Sequence, residues 1–281
     1  MTIPFRPTET GNAPIVALHS SASSSGQWRQ LEADLEGRFE VLAFDLPGYG
    51  RAPLASDPSR TGAAGSAAAV VQEIEKLEGA VHLVGHSNGG GIAIKVALIR
   101  PDLVKSLTVY EPAAFHFLKQ GKNASQRLFQ QIQGISDQVA AAAGEDDDAA
   151  AAGMKQFLDF WNGEGFWDGL PVSARQRFAG QISSIMTDFS NGFAETWALK
   201  DLFGLDIPTL VMTGLDSPEI AQHVAMAIAK ALPKARIALL PELGHMAPIF
   251  QPEWINSRIF EHVATVERPI VTCSWPSQEA A

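Results

Sequence analysis

The sequence predicts an α/β domain: a mostly parallel sheet covered by helices on both faces, with a helical unit inserted between two of its strands. Three observations carry that prediction. Short apolar runs alternate with segments of helical composition from Pro14 onward, the pattern of strand–crossover–strand units. The first of these runs, Pro14 to Leu18, is apolar throughout, as in a strand buried on both faces. From about Ala113 to Leu205 the alternation stops, leaving helical segments and loops but no run that reads as a strand.

Taken along the chain, Pro14 to Leu18 is the first strand and the small polar residues Ser20 to Gly26 are a loop. Trp28 to Leu35 reads as a helix, and Phe39 to Phe44 as a strand that ends in the turn-rich Asp45-Leu-Pro-Gly-Tyr-Gly. Ala63 to Leu77 is helical, and Val81 to Val84 is a strand running into Gly85. Gly90 to Ile99 is a small-residue helix that stops before Pro101. Ser106 to Tyr110 and Ile207 to Thr213 are strands, Ala221 to Leu232 a helix, Ala235 to Leu240 a strand, and Trp254 to Val266 the last helix. This divides the chain into a core of residues 1–112 and 206–267, a helical cap of 113–205, and a tail of 268–281 without a clear element. Within the cap, the Ala/Asp run Ala140 to Ala152 reads as a mobile or helical surface segment. The aromatics Phe157, Phe160, Trp161, Phe166 and Trp167 read as the cap's own core.

Bulk properties narrow the function. The 281 residues, 46% hydrophobic, suit one large domain with an insertion. A net charge of −10 disfavours nucleic acid and anionic membrane as partners. Cys273 is the single cysteine, so no intrachain disulfide is available, which fits a cytoplasmic protein. No signal-peptide pattern, bilayer-length apolar run or repeat period is visible. No histidine–carboxylate spacing suggests a metal site, and no cofactor is expected.

The chemistry centres on Gly85-His86-Ser87-Asn88-Gly89. A serine hydroxyl is a poor nucleophile near neutral pH. It needs a base within hydrogen-bond reach, an acid to orient the base, and backbone N–H groups aimed at the developing oxyanion. Ser87 follows a strand and opens a glycine-rich helix, and Gly85 and Gly89 permit the sharp turn that presents its hydroxyl. His245, next to Gly244 in the loop after the last strand, is the candidate base. His82 and His86 belong to the strand and turn and read as structural. His116, His223 and His262 fall on predicted helices or the cap.

Val-His-Leu-Val-Gly-His-Ser-Asn-Gly-Gly-Gly resembles the nucleophile elbow of the α/β-hydrolase family. Leu18-His19-Ser20-Ser21-Ala22 resembles that family's oxyanion loop, with Ser20 where glycine is usual. Asp45-Leu-Pro-Gly-Tyr-Gly-Arg resembles its Asp-x-x-Gly-x-Gly turn, and Gly244-His245-Met246-Ala247-Pro248 its catalytic-histidine loop. The resemblance implies an α/β-hydrolase fold. The stretch before Pro14 is too short for the family's first two antiparallel strands, so these are expected to be missing or shortened, leaving about six parallel strands. It also implies oxyanion donors at the N–H groups of Asn88 and Ser21. His19 and Asp45 are then expected to brace the oxyanion loop.

Two residues contend for the acid. The family's usual position lies three residues past the glycine after strand Ile207–Thr213. That position holds Ser217, and Asp216 is one residue early. Glu111 ends strand Ser106–Tyr110, beside the nucleophile strand, where a subgroup of haloalkane dehalogenases carries its acid. A glutamate there, followed by Pro112, costs desolvation unless paired. Asp216, ahead of Pro218, suits an N-cap equally well.

The expected function is a serine hydrolase that cleaves a small to medium apolar carboxylic ester through an acyl-enzyme. Ser87 argues against epoxide hydrolases and haloalkane dehalogenases, which carry aspartate there. Carbon–carbon bond hydrolases and cofactor-free haloperoxidases on the same fold keep serine and remain alternatives. A non-catalytic ligand-binding relative is an alternative of another class. The expected partner is a small-molecule substrate. The sequence does not specify which one, nor the oligomeric state.

Overall fold

The computed structural model describes residues 11–52 and 63–268. The sheet begins with β1 (Ile15–Leu18), then a single 3₁₀ turn Ser25–Trp28, α1 (Arg29–Leu35) and β2 (Val41–Phe44). It continues through α2 (Ala63–Ile74), β3 (Val81–His86), α3 (Asn88–Ile99) and β4 (Val104–Tyr110). Five helices follow without a strand among the described residues: α4 (Ala124–Ala142), α5 (Asp147–Asn162), α6 (Phe166–Gly169), α7 (Val172–Ala179) and α8 (Ile182–Ala194). The chain returns through β5 (Thr209–Gly214), α9 (Glu219–Ala231), β6 (Ala235–Leu240), α10 (Ala247–Phe250) and α11 (Pro252–Glu267).

The six strands lie in the order β2-β1-β3-β4-β5-β6, and every pair is parallel. From β1 the chain steps outward to β2, then returns past β1 to β3 and grows the other way. Adjacent strand ends at such a reversal leave a crevice beyond their carboxyl ends. Here the reversal lies between β1 and β3, with Leu18 level with Gly85. The loops that follow, one with Ser20 and Ser21 and the other with Ser87, therefore open side by side.

Alternate residues of β1 explain why the run is apolar throughout. Val16 and Leu18 join a core with α2, α3 and α9, while Ile15 and Ala17 join a second core with α1 and α11. The first core runs on into the helical segment through Leu128, Ile132, Met154 and Ile185, all fully buried. Packing on both faces leaves no solvent side for polar residues.

Element ends differ from the sequence expectation where backbone pairing outlasts the apolar run. β3 extends past Val84 because Gly85 and His86 pair with Val109 and Tyr110. α3 starts at Asn88, ahead of Gly90, because the turn at Ser87 leads straight into it. Trp28 closes the 3₁₀ turn rather than opening the helix. The Ala/Asp run is two helix ends with a break: α4 stops at Ala142, and Asp146 caps α5 by accepting the Ala149 N–H at 2.9 Å. The stretch expected to lack the family's first strands lies almost wholly in residues 1–10, and the tail beyond Arg268, with Cys273, also falls outside the described residues.

Candidate active site

Ser87 sits at the tip of the turn between β3 and α3 with φ 52° and ψ −117°. A non-glycine residue there is strained and persists because its surroundings hold it. Its N–H donates to Tyr110 O at 3.0 Å, and its carbonyl accepts from Gly91 and Ala113 at 3.0 and 2.9 Å. The flanking glycines are steric requirements. A Cβ on Gly85 would sit 2.5 Å from Gly89 O, and one on Gly89 would sit 2.5 Å from the carbonyls of Leu18 and His19. The start of α3 is thus pressed against the end of β1.

His245 lies in the loop between β6 and α10, and its backbone is held on both sides. Tyr110 Oη donates to Gly244 O at 2.7 Å, and His86 Nε2 donates to His245 O at 2.9 Å. The ring points at the serine: Nε2 is 3.1 Å from Ser87 Oγ, and Nδ1 is 2.6 Å from Glu111 Oε2. A carboxylate facing Nδ1 fixes the proton there and leaves Nε2 as acceptor. Trp161 of α5 stacks on the ring, 4.1 Å between centroids.

Glu111, immediately after β4, also has positive φ, 44°, and is buried. Its Oε1 accepts from Thr213 Oγ1 and from the Gly214 N–H, each at 2.8 Å, and Oε2 faces His245. β4 and β5 are neighbours, so the end of one strand supplies donors to the carboxylate at the end of the other. Asp216 has no side-chain hydrogen bond to His245, although its backbone adjoins the same loop. Its side chain is exposed, while its N–H donates to Leu243 O at 3.0 Å. It does not cap α9 either, because Pro218 occupies the N-cap position. Ser217, in the family's usual acid position, is buried.

Asn88 is the first residue of α3, where an N–H has no intrahelical acceptor. Ser21 lies beside it in the loop after β1, followed by Ala22 at φ 57°. His19 accepts the Leu46 N–H on Nε2 at 2.9 Å and donates from Nδ1 to Ser20 O at 2.7 Å, tying this loop to the one after β2. Burial keeps it below the usual histidine range and neutral. Asp45 accepts from the N–H groups of Ser25 and Arg51 at 2.7 and 3.0 Å, bracing the same loops. Gln27 adds a link that sequence reading missed. Its Oε1 accepts the Ser20 N–H at 3.1 Å, and its Nε2 donates to His86 Nδ1 at 3.1 Å. Burial pushes His86 well below the usual range, so it stays neutral and passes this chain on to the backbone of His245.

Sequence reading also missed Asp188 of α8. Its Oδ2 accepts from the hydroxyls of Ser21 and of Tyr49, the latter at 2.6 Å. The Asn88 side chain is a third partner. Burial pushes the Asp188 carboxyl up to about 6, against the pull of these three donors. The available signal was position. Asp188 lies three and four residues from the buried Ile185 and Ser184, on the inward face of its helix. Lys95 of α3 reaches Glu195, just past α8, at 3.0 Å with both side chains largely buried.

Ser87 stands between two cavities. One is lined by Ser21, Asn88, Asp188, Trp161, Phe189 and Phe193 among others. The other extends past His245 to Phe166, Arg177, Phe178, Met246 and Phe250. Phe157 and Trp161 line both, so these two aromatics form cavity wall and not only interior packing, while the buried Trp167 lines neither.

The family model described as Alpha/beta hydrolase family matches residues 15–258. The chain is 25% identical over 252 residues to the dihydrolipoyllysine-residue acetyltransferase component of the acetoin cleaving system of Pseudomonas putida. That match covers 89% of this chain but only 63% of that relative, less than two thirds of its length. It is 24% identical over 252 residues to the (E)-2-((N-methylformamido)methylene)succinate hydrolase of Acinetobacter baylyi, covering 86% of this chain and 87% of that one. Among solved structures, a thermophilic esterase from Thermogutta terrifontis superposes with a TM-score of 0.67 at 21% identity, covering 92% and 91% of the two chains. A sheet with this strand order, a strained serine between β3 and α3, and a family match across nearly the whole described chain agree: the protein belongs to the alpha/beta hydrolase family.

Proposed function

We propose that this protein is a serine hydrolase that cleaves a small to medium carboxylic ester through an acyl-enzyme, with Ser87, His245 and Glu111 as its catalytic triad. The observation that carries the reading is the unbroken line from Ser87 Oγ through both ring nitrogens of His245 to Glu111, at 3.1 and 2.6 Å. His245 Nε2 takes the Ser87 proton as Oγ adds to the ester carbonyl. The N–H groups of Asn88 and Ser21 hold the oxyanion, assisted by the N-terminus of α3. The C–O bond then breaks, and His245 returns the proton to the departing alcohol. Water, deprotonated by the same nitrogen, releases the acid and restores Ser87. Glu111 holds the ring and stabilises its charge. In this reading helices α4 to α8, within residues 113–205, act as a cap that supplies the substrate walls.

A fluorophosphonate probe tests the nucleophile directly. Wild type is expected to be labelled on Ser87, and Ser87→Ala to lose all labelling. Equal labelling of the two proteins overturns the assignment. Turnover of vinylogous diketones in preference to p-nitrophenyl esters would move the reaction to carbon–carbon cleavage with the same residues.

A further inference from the structure

The cavity beside Ser87 on the α8 side is apolar and aromatic, with Phe115, Phe157, Trp161, Phe189 and Phe193 in its wall. One acidic side chain, Asp188, faces it. Two hydroxyls share its Oδ2, and the Asn88 amide is a third partner. A carboxylate has room for about four donors. Asp188 lines this cavity.

Its place is electrostatically odd for the proposed ester chemistry. Asp188 is one hydrogen bond from Ser21 and one from Asn88, the residues whose N–H groups are proposed to receive the oxyanion. A negative charge there opposes the negative charge that develops on the substrate. The opposition is strongest in a cavity walled by low-dielectric side chains. Above about pH 6 the carboxyl is ionised. A positive group bound between the carboxylate and the forming oxyanion removes the conflict. The aromatic walls suit such a cation, because ring faces attract positive charge.

We propose, building on the hydrolase reading above, that Asp188 is a specificity residue for substrates bearing a protonated amine close to the scissile carbonyl. The ammonium sits on Asp188, and the carbon skeleton lies against Phe157, Trp161 and Phe189. Neutral substrates of the same shape then react more slowly in wild type, and removing the charge helps them.

Binding tests this without requiring turnover. Calorimetric titration at pH 8 compares benzylammonium with benzyl alcohol on the full chain. Wild type is expected to bind the ammonium at least about tenfold more tightly, as an opposite charge in a low-dielectric site implies. Asp188→Asn is expected to bring the two within about twofold while retaining the wild-type circular dichroism spectrum. A kinetic pair, an aminoacyl ester against the alkyl ester of equal length, should invert: wild type favours the first and Asp188→Asn the second. Equal binding of the two ligands by wild type overturns the proposal, and so does a preference that survives in Asp188→Asn. Should the variant fail to fold, the wild-type comparison decides by itself. Fluorophosphonate labelling of Ser87 reports separately on the hydrolase reading, so the failure of one is not mistaken for the failure of the other.

Discussion

The sheet and the helical segment above it each send one carboxylate towards Ser87, and they treat it in opposite ways. Glu111 comes from a strand end. It is buried, with one oxygen saturated by Thr213 and Gly214 and the other committed to His245. Asp188 comes from a helix face. Its donors are side chains on mobile bonds, and part of it looks into a cavity. The first arrangement is rigid and faces inward, so it can orient a ring. The second is adaptable and lines a cavity beside the serine, where it would meet the proposed amine substrate. Strand ends provide fixed backbone geometry, while helix faces provide chemistry that changes without disturbing the sheet.

That contrast breaks first at Glu111. Glu111→Gln keeps the shape but offers His245 Nδ1 a neutral amide, and kcat is expected to fall by roughly 10³–10⁴-fold. A fall of less than tenfold in steady-state hydrolysis would show that the inward carboxylate is not the one that matters. Asp188→Asn should change the amine-to-neutral substrate ratio by about tenfold, with Ser87 labelling by a neutral fluorophosphonate unslowed. Trp161→Ala removes the ring stacked on His245 and part of both cavity walls. KM is expected to rise by several-fold to about tenfold, with a smaller change in kcat. A loss confined to kcat would assign Trp161 to holding the base instead.

Stability against pH sharpens the same contrast. The Asp188 carboxyl is raised in the fold, so its contribution is full below the ordinary carboxylate range and is lost as pH rises through about 6. The Tm of wild type minus that of Asp188→Asn should therefore fall by a few degrees between pH 4 and pH 7. A difference that is flat across this window would mean the carboxyl titrates normally. The smallest expected effect is at Asp216→Asn: the side chain is exposed, and hydrolysis should change by less than about twofold.

The legible parts of the molecule were those where backbone geometry constrains residue type. Gly85 and Gly89 flank the serine because no Cβ fits there, and that need leaves a readable pattern. The first strand was readable because burial on both faces excludes polar residues from Ile15–Leu18. His245 stood out as the candidate base by its loop and its glycine. The acid was not, because the choice between Glu111 and Asp216 depends on which strand end reaches the ring, a three-dimensional fact. Asp188 was legible only as an inward-facing helix position, for a related reason. Nothing in Met-Thr-Asp-Phe marks an aspartate as facing a serine 101 residues earlier in the chain. The Gln27–His86 link was hidden in the same way, since it depends on a loop folding back over β3.

Helix α8 is fastened at its middle and at its C-terminal end: Asp188 holds it to Ser21 and Tyr49, and Glu195 holds its far end to Lys95 of α3. A helix tied this way makes a poor door. Under the proposed acyl-enzyme reading, the other chamber, past Phe166, Arg177, Phe178 and Phe250, would then carry the traffic, with the serine at the junction of the two. An acyl group lodged on the α8 side would stay put while the alcohol left by the opposite corridor and water came in behind it. Two-stroke turnover then needs no traffic past the acyl chain, and the order of departure is built into the floor plan.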